Sequence, residues 1–185
     1  MRVMQLFTLV AKKHMFGETI NMKDMNISQE GIALIKKFEG CPVENNMAVS
    51  YRCAANVPTI GYGSTRYKGQ QVVDGMYITM EEAESLLKHE LIEFEGYIKK
   101  LVQVSINQNQ FDALVAWCFN IGPSAAGSSS AIRYLNEEKY DEVPKRMRLW
   151  NKATVNGEKV VLAGLERRRL AESMLFEGNG DWHTV

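Results

Sequence analysis

The stretch that decides the fold is TMEEAESLLKHELIEFEGYIKKL, residues 79–101. Thr79 followed three positions later by Glu82 has the spacing of a capping box, which predicts a helix start. Apolar residues then recur at helical spacing, which predicts a long helix running to Leu101. The apolar stripe consists of Leu86, Leu87, Leu91, Phe94, Ile98 and Leu101. The six glutamates from Glu81 to Glu95 are expected on the opposite, solvated face.

The residues before this helix have a mixed character. Apolar residues after Ser28 recur at helical spacing, so the sequence predicts a helix over 28–38 with Ser28 as its N-cap. From Gly40 to Gly69 the chain is rich in Gly, Pro, Asn, Tyr and Thr, which favours loops and a small antiparallel sheet. The expected strands are Val49–Arg52, Thr59–Tyr62 and Gln71–Val73.

The residues after the long helix are predicted to be almost entirely helical. The expected helices are Asn107–Ile121, Ser129–Asn136, Asp141–Trp150 and Leu165–Phe176, with a hairpin-type turn at Val155–Glu158. The predicted fold class is therefore α+β. A small mixed lobe (about 26–80) is joined by the long helix to a helical lobe (about 81–178), both within one domain spanning 25–180.

Composition excludes several classes of protein. The 185 residues are 45% hydrophobic and 24% charged, which is typical of a globular protein. The formal net charge is zero, whereas dedicated nucleic-acid binders usually carry a clear basic excess. Cys41, Cys53 and Cys118 are too few for a disulfide scaffold and fit synthesis in a reducing compartment.

Residues 1–24 are predicted to be an extension of this domain. Its apolar run, Val3–Ala11, is too short to span a bilayer, and no small-residue cleavage site follows it. We expect either a short amphipathic helix or an extension without catalytic importance. Met25 then opens the domain.

Few residues are arranged for chemistry. His14, His89 and His183 are scattered and no metal motif occurs, so no metal or cofactor is expected. Glu39 directly follows an apolar helix face at the mouth of a loop-rich region. Apolar surroundings favour a protonated carboxyl, which is what a general acid for glycoside cleavage needs. A surface glutamate at a helix end is the alternative.

Several motifs resemble those of one family. LIKKFEG (34–40) followed by SYRCAANVPTIGYGST (50–65) resembles the active-site region of bacteriophage lysozymes, the muramidase endolysins of glycoside hydrolase family 24. INQNQFDALVAWCFNIG (106–122), LWNKA (149–153) and GLERRRLAE (164–172) resemble later segments of that family. The resemblance implies a lysozyme-like fold. It also implies hydrolysis of the β-1,4 bond between N-acetylmuramic acid and N-acetylglucosamine, causing host cell lysis.

The resemblance also implies a catalytic set. The family has a Glu after the first helix, then an Asp or Cys, then a Thr six residues further on. Glu39, Cys53 and Thr59 occupy these positions, which makes this chain a variant with Cys at the usual Asp position. Glu39 and Cys53 are further apart than is usual, so we expect a longer hairpin loop over 42–47. Glu44 in this loop is a rival carboxylate.

The implied roles are those of a glycosidase. Glu39 would protonate the glycosidic oxygen, while an anion or an oriented water serves the other side of the sugar. Cys53 as thiolate would stabilise the oxocarbenium charge, or would hold the attacking water together with Thr59. Whether Cys53 is base, stabiliser or nucleophile stays open. A small buried apolar role is its alternative.

Further residues are expected to line the cleft or to form ion pairs. Tyr62 and Gly63 are expected to shape the floor of the cleft, and Gln108 to contact glycan. Arg167–Arg169 are expected to form ion pairs, with envelope carboxylates or phosphate as alternative partners. A hairpin would bring Cys41 near Cys53, and a disulfide between them would silence the enzyme until reduction. Two free thiols are the alternative.

Two other functions remain open at this stage: a lytic transglycosylase, and an inactive lysozyme fold that binds peptidoglycan. The expected partner is the peptidoglycan glycan strand, with no nucleic acid, no stable membrane insertion and a monomeric chain. We expect the protein to accumulate in the host cytoplasm and to act in the periplasm after release by a holin.

Overall fold

The chain folds into seven α-helices and nine short strands across the described residues, which are 21–53, 55–155 and 157–185 of a computed structural model. The helices are α1 (Gln29–Glu39), α2 (Met80–Leu101), α3 (Gln108–Ile121), α4 (Pro123–Gly127), α5 (Ser130–Asn136), α6 (Val143–Met147) and α7 (Ala163–Phe176). The strands are β1 (Val43–Glu44), β2 (Met47–Val49), β3 (Tyr51–Arg52), β4 (Pro58–Thr59), β5 (Arg66–Tyr67), β6 (Gln70–Gln71), β7 (Tyr77–Thr79), β8 (Lys152–Val155) and β9 (Glu158–Val161). The predicted α+β class is confirmed. The helix considered at Val3–Ala11 lies outside the described residues.

The three helices predicted before residue 122 begin where their capping residues indicate. The Ser28 hydroxyl accepts from the backbone N–H of Glu30 at the start of α1. Thr79 and Glu82 form the predicted reciprocal capping box at the start of α2. Asn107 and Gln110 form a second capping box at the start of α3. These bonds satisfy N–H groups that a helix cannot satisfy itself, so they fix where each helix begins.

Helix α3 is the centre of the helical part. Every residue from Gln110 to Cys118 is buried, including Phe111 and Trp117. Helices α1, α2 and α7 all pack against it. A helix that is apolar on most sides is stable only when other elements surround it. Helix α3 thereby sets the positions of α1 and α7, which carry residues of the candidate site.

The strands of the small lobe differ from those predicted. A three-stranded antiparallel sheet has the order β1-β2-β7, and β3 pairs separately with β4. The predicted longer loop over 42–47 is a hairpin whose turn, Asn45–Asn46, has φ of +50° and +62°. Both values lie in the left-handed region that a two-residue hairpin turn of type I′ requires.

The predicted strand ranges were wrong for local backbone reasons. Val49–Arg52 is divided at Ser50, whose N–H bonds to the carbonyl of Met76. Thr59–Tyr62 ends at Thr59 because the chain turns at Gly61, where φ is +62°. Of the predicted strand Gln71–Val73, only Gln71 lies in a strand, the two-residue β6.

Two further predictions needed correction. Asp141–Trp150 is a 3-10 turn (Tyr140–Glu142) followed by the short α6, with Pro144 in its first turn. Glu95 is not on a solvated face of α2, because its side chain is buried and accepts a 2.9 Å bond from the N–H of Ile27. The predicted turn near Val155 is confirmed, since Val155 pairs with Glu158.

Candidate active site

Glu39 is the last residue of α1, and its position is fixed from both ends of that helix. At the start, the carboxylate of Asp112 in α3 accepts from the N–H of Ser28 at 2.9 Å and from the Ser28 hydroxyl. At the end, Gly40 has φ of +68°, a conformation that glycine adopts without steric cost. The Glu39 side chain is 23% exposed, so its carboxyl faces a surface opening while most of it is buried.

The Glu39 carboxylate is paired with an arginine from the last helix. Nη1 of Arg168 donates to Oε1 of Glu39 at 2.6 Å. Nε of the same guanidinium donates to Oε1 of Glu172 at 3.0 Å, so Arg168 bridges two carboxylates. The predicted ion pairing of the Arg167–Arg169 run is confirmed for Arg168. Its contact with Glu39 was not foreseen.

A second arginine completes this buried cluster. Nη2 of Arg169 donates to Oε1 of Glu172 at 2.9 Å and to Oδ1 of Asn120 in α3 at 2.8 Å. Arg168, Arg169 and Glu172 are 4%, 1% and 0% exposed. Burial raises the pKa of Glu172, while the two guanidiniums act in the opposite direction. The i, i+3 and i, i+4 spacing to Glu172 was the sequence signal for this pairing.

Cys53 and Thr59 come together through a short hairpin. Strand β3 pairs with β4 so that Tyr51 faces Thr59, and Cys53 follows directly after β3. The hairpin loop is closed by a 3.1 Å bond from the N–H of Cys53 to the carbonyl of Val57. Thr59 is 2% exposed, and its hydroxyl donates to the Val57 carbonyl at 2.9 Å. The loop therefore holds both side chains in one local arrangement.

This hairpin favours the thiolate form of Cys53. Hydrogen bonds from the backbone at Val57 and Ala55, and then from the side chain of Thr59, lower the pKa of Cys53. Hydrogen bonds to a charged form stabilise that form, so a larger share of the thiol is ionised near neutral pH.

Tyr51 connects the hairpin with Glu39. Burial raises the pKa of Tyr51, and the negative charges of Glu39, Cys41 and Cys53 raise it further. All three groups thus lie within electrostatic range of one phenol. Tyr51 carries no site signal in the sequence, because an aromatic residue in a predicted strand is usual.

An open pocket of about 590 Å³ lies beside Glu39. Its wall combines cations, an amide and apolar side chains: Lys37, Phe38, Glu39, Asn120, Leu162, Gly164, Leu165, Arg167, Arg168 and Val185. Helices α1, α3 and α7 all contribute, so the pocket exists only in the folded chain.

The other predicted site residues lie in varied places. Tyr62 is buried, with Nζ of Lys36 5.5 Å above its ring, and Gly63 has φ of +112° in the turn after β4. Gln108 is committed elsewhere, since its Nε2 donates to the carbonyl of Asn26 and to Asp112. Asn120 supplies an α3 amide to the pocket instead. It lies twelve residues further on, about 18 Å along the helix axis.

The rival carboxylate and the cysteines are also defined. Glu44 lies on β1, where its Oε2 accepts from the Tyr77 hydroxyl at 2.8 Å. Cys41, Cys53 and Cys118 are all free thiols, so the Cys41–Cys53 disulfide is not formed in this structure. Burial raises the pKa of Cys41, and raises that of Cys118 to about 11.

The described part of the chain has neither a cluster of metal-ligand residues nor a membrane-spanning helix. Residues 21–53, 55–155 and 157–185 contain no group of three or more His, Cys, Asp or Glu placed to hold a metal ion. In the same ranges, no helix is both long enough and apolar enough to cross a membrane.

Comparisons with known proteins agree on one family. Residues 36–172 match the family model described as "Phage lysozyme". An endolysin of Acyrthosiphon pisum secondary endosymbiont phage 1 is 36% identical over 153 residues, which cover 83% of this chain and 99% of that protein. The endolysin of Salmonella phage P22 is 41% identical over 130 residues, covering 70% and 86% of the two chains. The structure of an endolysin from Escherichia coli O157:H7 phage FAHEc1 superposes with a TM-score of 0.77 at 38% identity, covering 83% of this chain and 94% of that one.

Proposed function

This chain belongs to the phage lysozyme family and is a peptidoglycan-degrading muramidase of the endolysin type, and we propose that Glu39, Cys53 and Thr59 form its catalytic group. The bond that it hydrolyses in this proposal is the β-1,4 linkage between N-acetylmuramic acid and N-acetylglucosamine. Hydrolysis is favoured over the two alternatives, a transglycosylase and an inactive binding protein, because the matched relatives are endolysins and lysozymes.

The observation that carries this proposal is the position of the Glu39 carboxyl. It lies on the wall of an open pocket, and Arg168 engages one of its oxygens, Oε1. The fixed carboxyl can present its other oxygen to the glycosidic oxygen of a bound strand. Proton donation from a positioned carboxyl to the leaving group is the general-acid step of glycoside hydrolysis.

Cys53 and Thr59 do not line that pocket, and in this proposal they would serve the other side of the sugar. The bonds that lower the pKa of Cys53 favour a thiolate, whose negative charge would stabilise the oxocarbenium-like transition state. The Thr59 side chain is beside Cys53, and together with Cys53 it would orient the attacking water. In this proposal the Cys53 thiolate takes the role that the carboxylate of an Asp would have at this position.

The test is turbidity clearing of outer-membrane-stripped Gram-negative cells by the wild type and Glu39→Gln. We expect a loss of at least about 10²-fold, because a positioned general acid contributes about 10²–10⁴-fold to rate. Glu44→Gln is the matched control, since it removes a carboxylate from the same lobe and should clear at the wild-type rate. Equal clearing by wild type and Glu39→Gln would overturn the general-acid role.

The reaction products separate the alternatives. Mass spectrometry of digested peptidoglycan should show reducing muramic acid ends. Products with 1,6-anhydro ends would assign the enzyme to the transglycosylases. Binding to peptidoglycan with no product from either the wild type or Glu44→Gln would favour the binding protein.

We also propose the route by which the enzyme meets its substrate. It acts as a monomer that accumulates in the host cytoplasm and reaches the periplasmic wall when a holin permeabilises the inner membrane. Expression of this chain alone should leave cells intact, and co-expression of a holin should lyse them. Lysis by this chain alone, with no lysis by Glu39→Gln, would show that the enzyme reaches the wall without a holin.

A further inference from the structure

Glu172 is the most deeply buried charged side chain beside the pocket, and the catalytic proposal does not use it. It is fully buried on α7 and does not line the pocket that contains Glu39. Three nitrogens of two arginines lie within 3.0 Å of its oxygens: Nε of Arg168, and Nη2 and Nε of Arg169. Burying a carboxylate is costly unless cations compensate it, so this arrangement needs both arginines.

The charges of Arg168, Arg169, Glu39 and Glu172 sum to zero only when both glutamates are ionised. Arg168 and Arg169 carry two positive charges, because a guanidinium does not lose its proton in proteins. Glu39 and Glu172 carry two negative charges when both are ionised. When Glu39 holds the proton that a general acid must deliver, Glu172 is the carboxylate that remains against two guanidiniums.

We infer that Glu172 is a positioning residue for the reaction, which holds the Arg168 guanidinium through Nε and balances the positive charge of the arginine pair beside Glu39. The inference rests on the proposed role of Glu39 as general acid. Without Glu172, Glu39 would be the only carboxylate of this cluster beside two guanidiniums.

The other charged and titratable groups around Glu39 do not replace Glu172. Lys37 and Arg167 on the pocket wall are cations. Tyr51 of the small lobe lies within electrostatic range of Glu39, and the thiols of Cys41 and Cys53 lie within range of Tyr51. From α3, Asn120 contributes an uncharged amide to Arg169. Glu172 is therefore the carboxylate that shares Arg168 with Glu39.

The test is the pH–activity profile of charge-removing variants, because its alkaline limb reports loss of the proton from the general acid. Glu172→Gln should move this limb about one pH unit lower, which is about a tenfold loss of activity on the alkaline side. Arg169→Gln removes a cation that does not touch Glu39, and should move the limb in the opposite direction. The double variant Arg169→Gln/Glu172→Gln should return the limb close to that of the wild type.

Controls separate this inference from the proposed function and from a loss of fold. Glu166→Gln removes an exposed carboxylate from the same helix and should leave the limb unchanged. Two buried substitutions that shift the alkaline limb in opposite directions cannot both act through loss of stability alone. If Glu172→Gln does not fold, Arg169→Gln and the double variant still test whether Glu172 sets the position of the limb. An active Glu39→Gln would overturn the proposed function. If Glu39→Gln is inactive, and the folded Arg169 and Glu172 variants keep the alkaline limb of the wild type, this inference is overturned while the proposed function stands.

Discussion

Arg168 donates a 2.6 Å hydrogen bond to Glu39 across 129 positions of the sequence. One guanidinium nitrogen donates to Glu39 and another to Glu172, so the end of α1 is connected to the middle of α7 through a single side chain. A planar guanidinium can bridge two carboxylates in fixed directions, whereas an ammonium is a point charge on a flexible stem.

Arg168→Lys should therefore be harmful although it preserves the charge. We expect about a tenfold loss of activity and a loss of about 2 kcal/mol in the free energy of unfolding, because a buried carboxylate loses a partner. Urea unfolding and turbidity clearing measure the two effects. Arg133→Lys, at a 61% exposed side chain paired with Glu137, is the control and should change neither. Wild-type values for Arg168→Lys would contradict the bridging role.

The three thiols should react in a fixed order. The hairpin bonds lower the pKa of Cys53, whereas burial raises those of Cys41 and Cys118, the latter to about 11. Since the thiolate is the nucleophile, iodoacetamide at pH 7.5 should alkylate Cys53 first and Cys118 last. Peptide mass spectrometry at timed intervals gives the order. Thr59→Val should slow the labelling of Cys53, and earlier labelling of Cys41 or Cys118 would contradict the assignment.

A disulfide between Cys41 and Cys53 would remove the proposed thiolate. We expect wild-type activity to fall after treatment with glutathione disulfide and to return with reductant. Cys41→Ser should stay active throughout, and Cys53→Asp should be active and indifferent to redox state. Full activity of an oxidised wild type, with a Cys41–Cys53 bond confirmed by mass spectrometry, would contradict both the redox control and the catalytic role of Cys53.

Glu82 should make stability depend on pH on the acid side. The Tyr67 hydroxyl, then the backbone of Thr79 and the ammonium of Lys68, lower the pKa of Glu82 from 4.5 to about 2. Because this pKa lies below that of the unfolded chain, ionised Glu82 stabilises the fold above about pH 4.5 and loses that effect as pH falls through about 2.

Glu82→Gln should therefore have a lower Tm than the wild type at pH 7, and the difference should shrink towards pH 2. Calorimetry at pH 7, 4 and 2.5 measures it. Glu81→Gln, at the exposed neighbouring position in the same helical turn, should show a smaller difference without this trend. A constant difference across the three pH values would contradict the assigned pKa.

Residues 1–24 should be dispensable for catalysis on purified walls. Met25 is 2% exposed and packs in the core, and the bonds between Ser28 and Asp112 that fix α1 lie beyond the deletion. A chain starting at Met25 should digest peptidoglycan like the full chain, as measured by released reducing ends. A folded truncation without activity would place the extension in the site.

Helix starts could be predicted from the sequence because capping is local. Ser28, Thr79 and Asn107 each bond to an N–H two or three residues away, so the signal and its effect lie in the same short segment. The strands could not be placed, because two-residue strands depend on the turns between them. The chain reversal at Gly61 and the Asn45–Asn46 turn decide where pairing stops.

The candidate site was predictable only where its residues are close in sequence or match a family motif. Cys53 and Thr59 are such a pair, and Glu39 follows a recognisable helix. The bridge from Arg168 and the amide of Asn120 come from distant helices, and the position of Tyr51 depends on tertiary packing. Gln108 and Asn120 lie at opposite ends of α3, and sequence does not show which end of that helix borders the pocket.

The Asn45–Asn46 hairpin has a consequence for how this fold tolerates changes in length. Val43–Glu44 before this turn form β1 at the edge of the β1-β2-β7 sheet, and β3 and β4, which carry the Cys53–Thr59 hairpin, pair with each other in a separate sheet. A change in the length of the Asn45–Asn46 turn therefore does not alter the spacing between Cys53 and Thr59. Loop grafts or short epitope insertions at this turn should be accommodated, which makes it a natural attachment point for engineering.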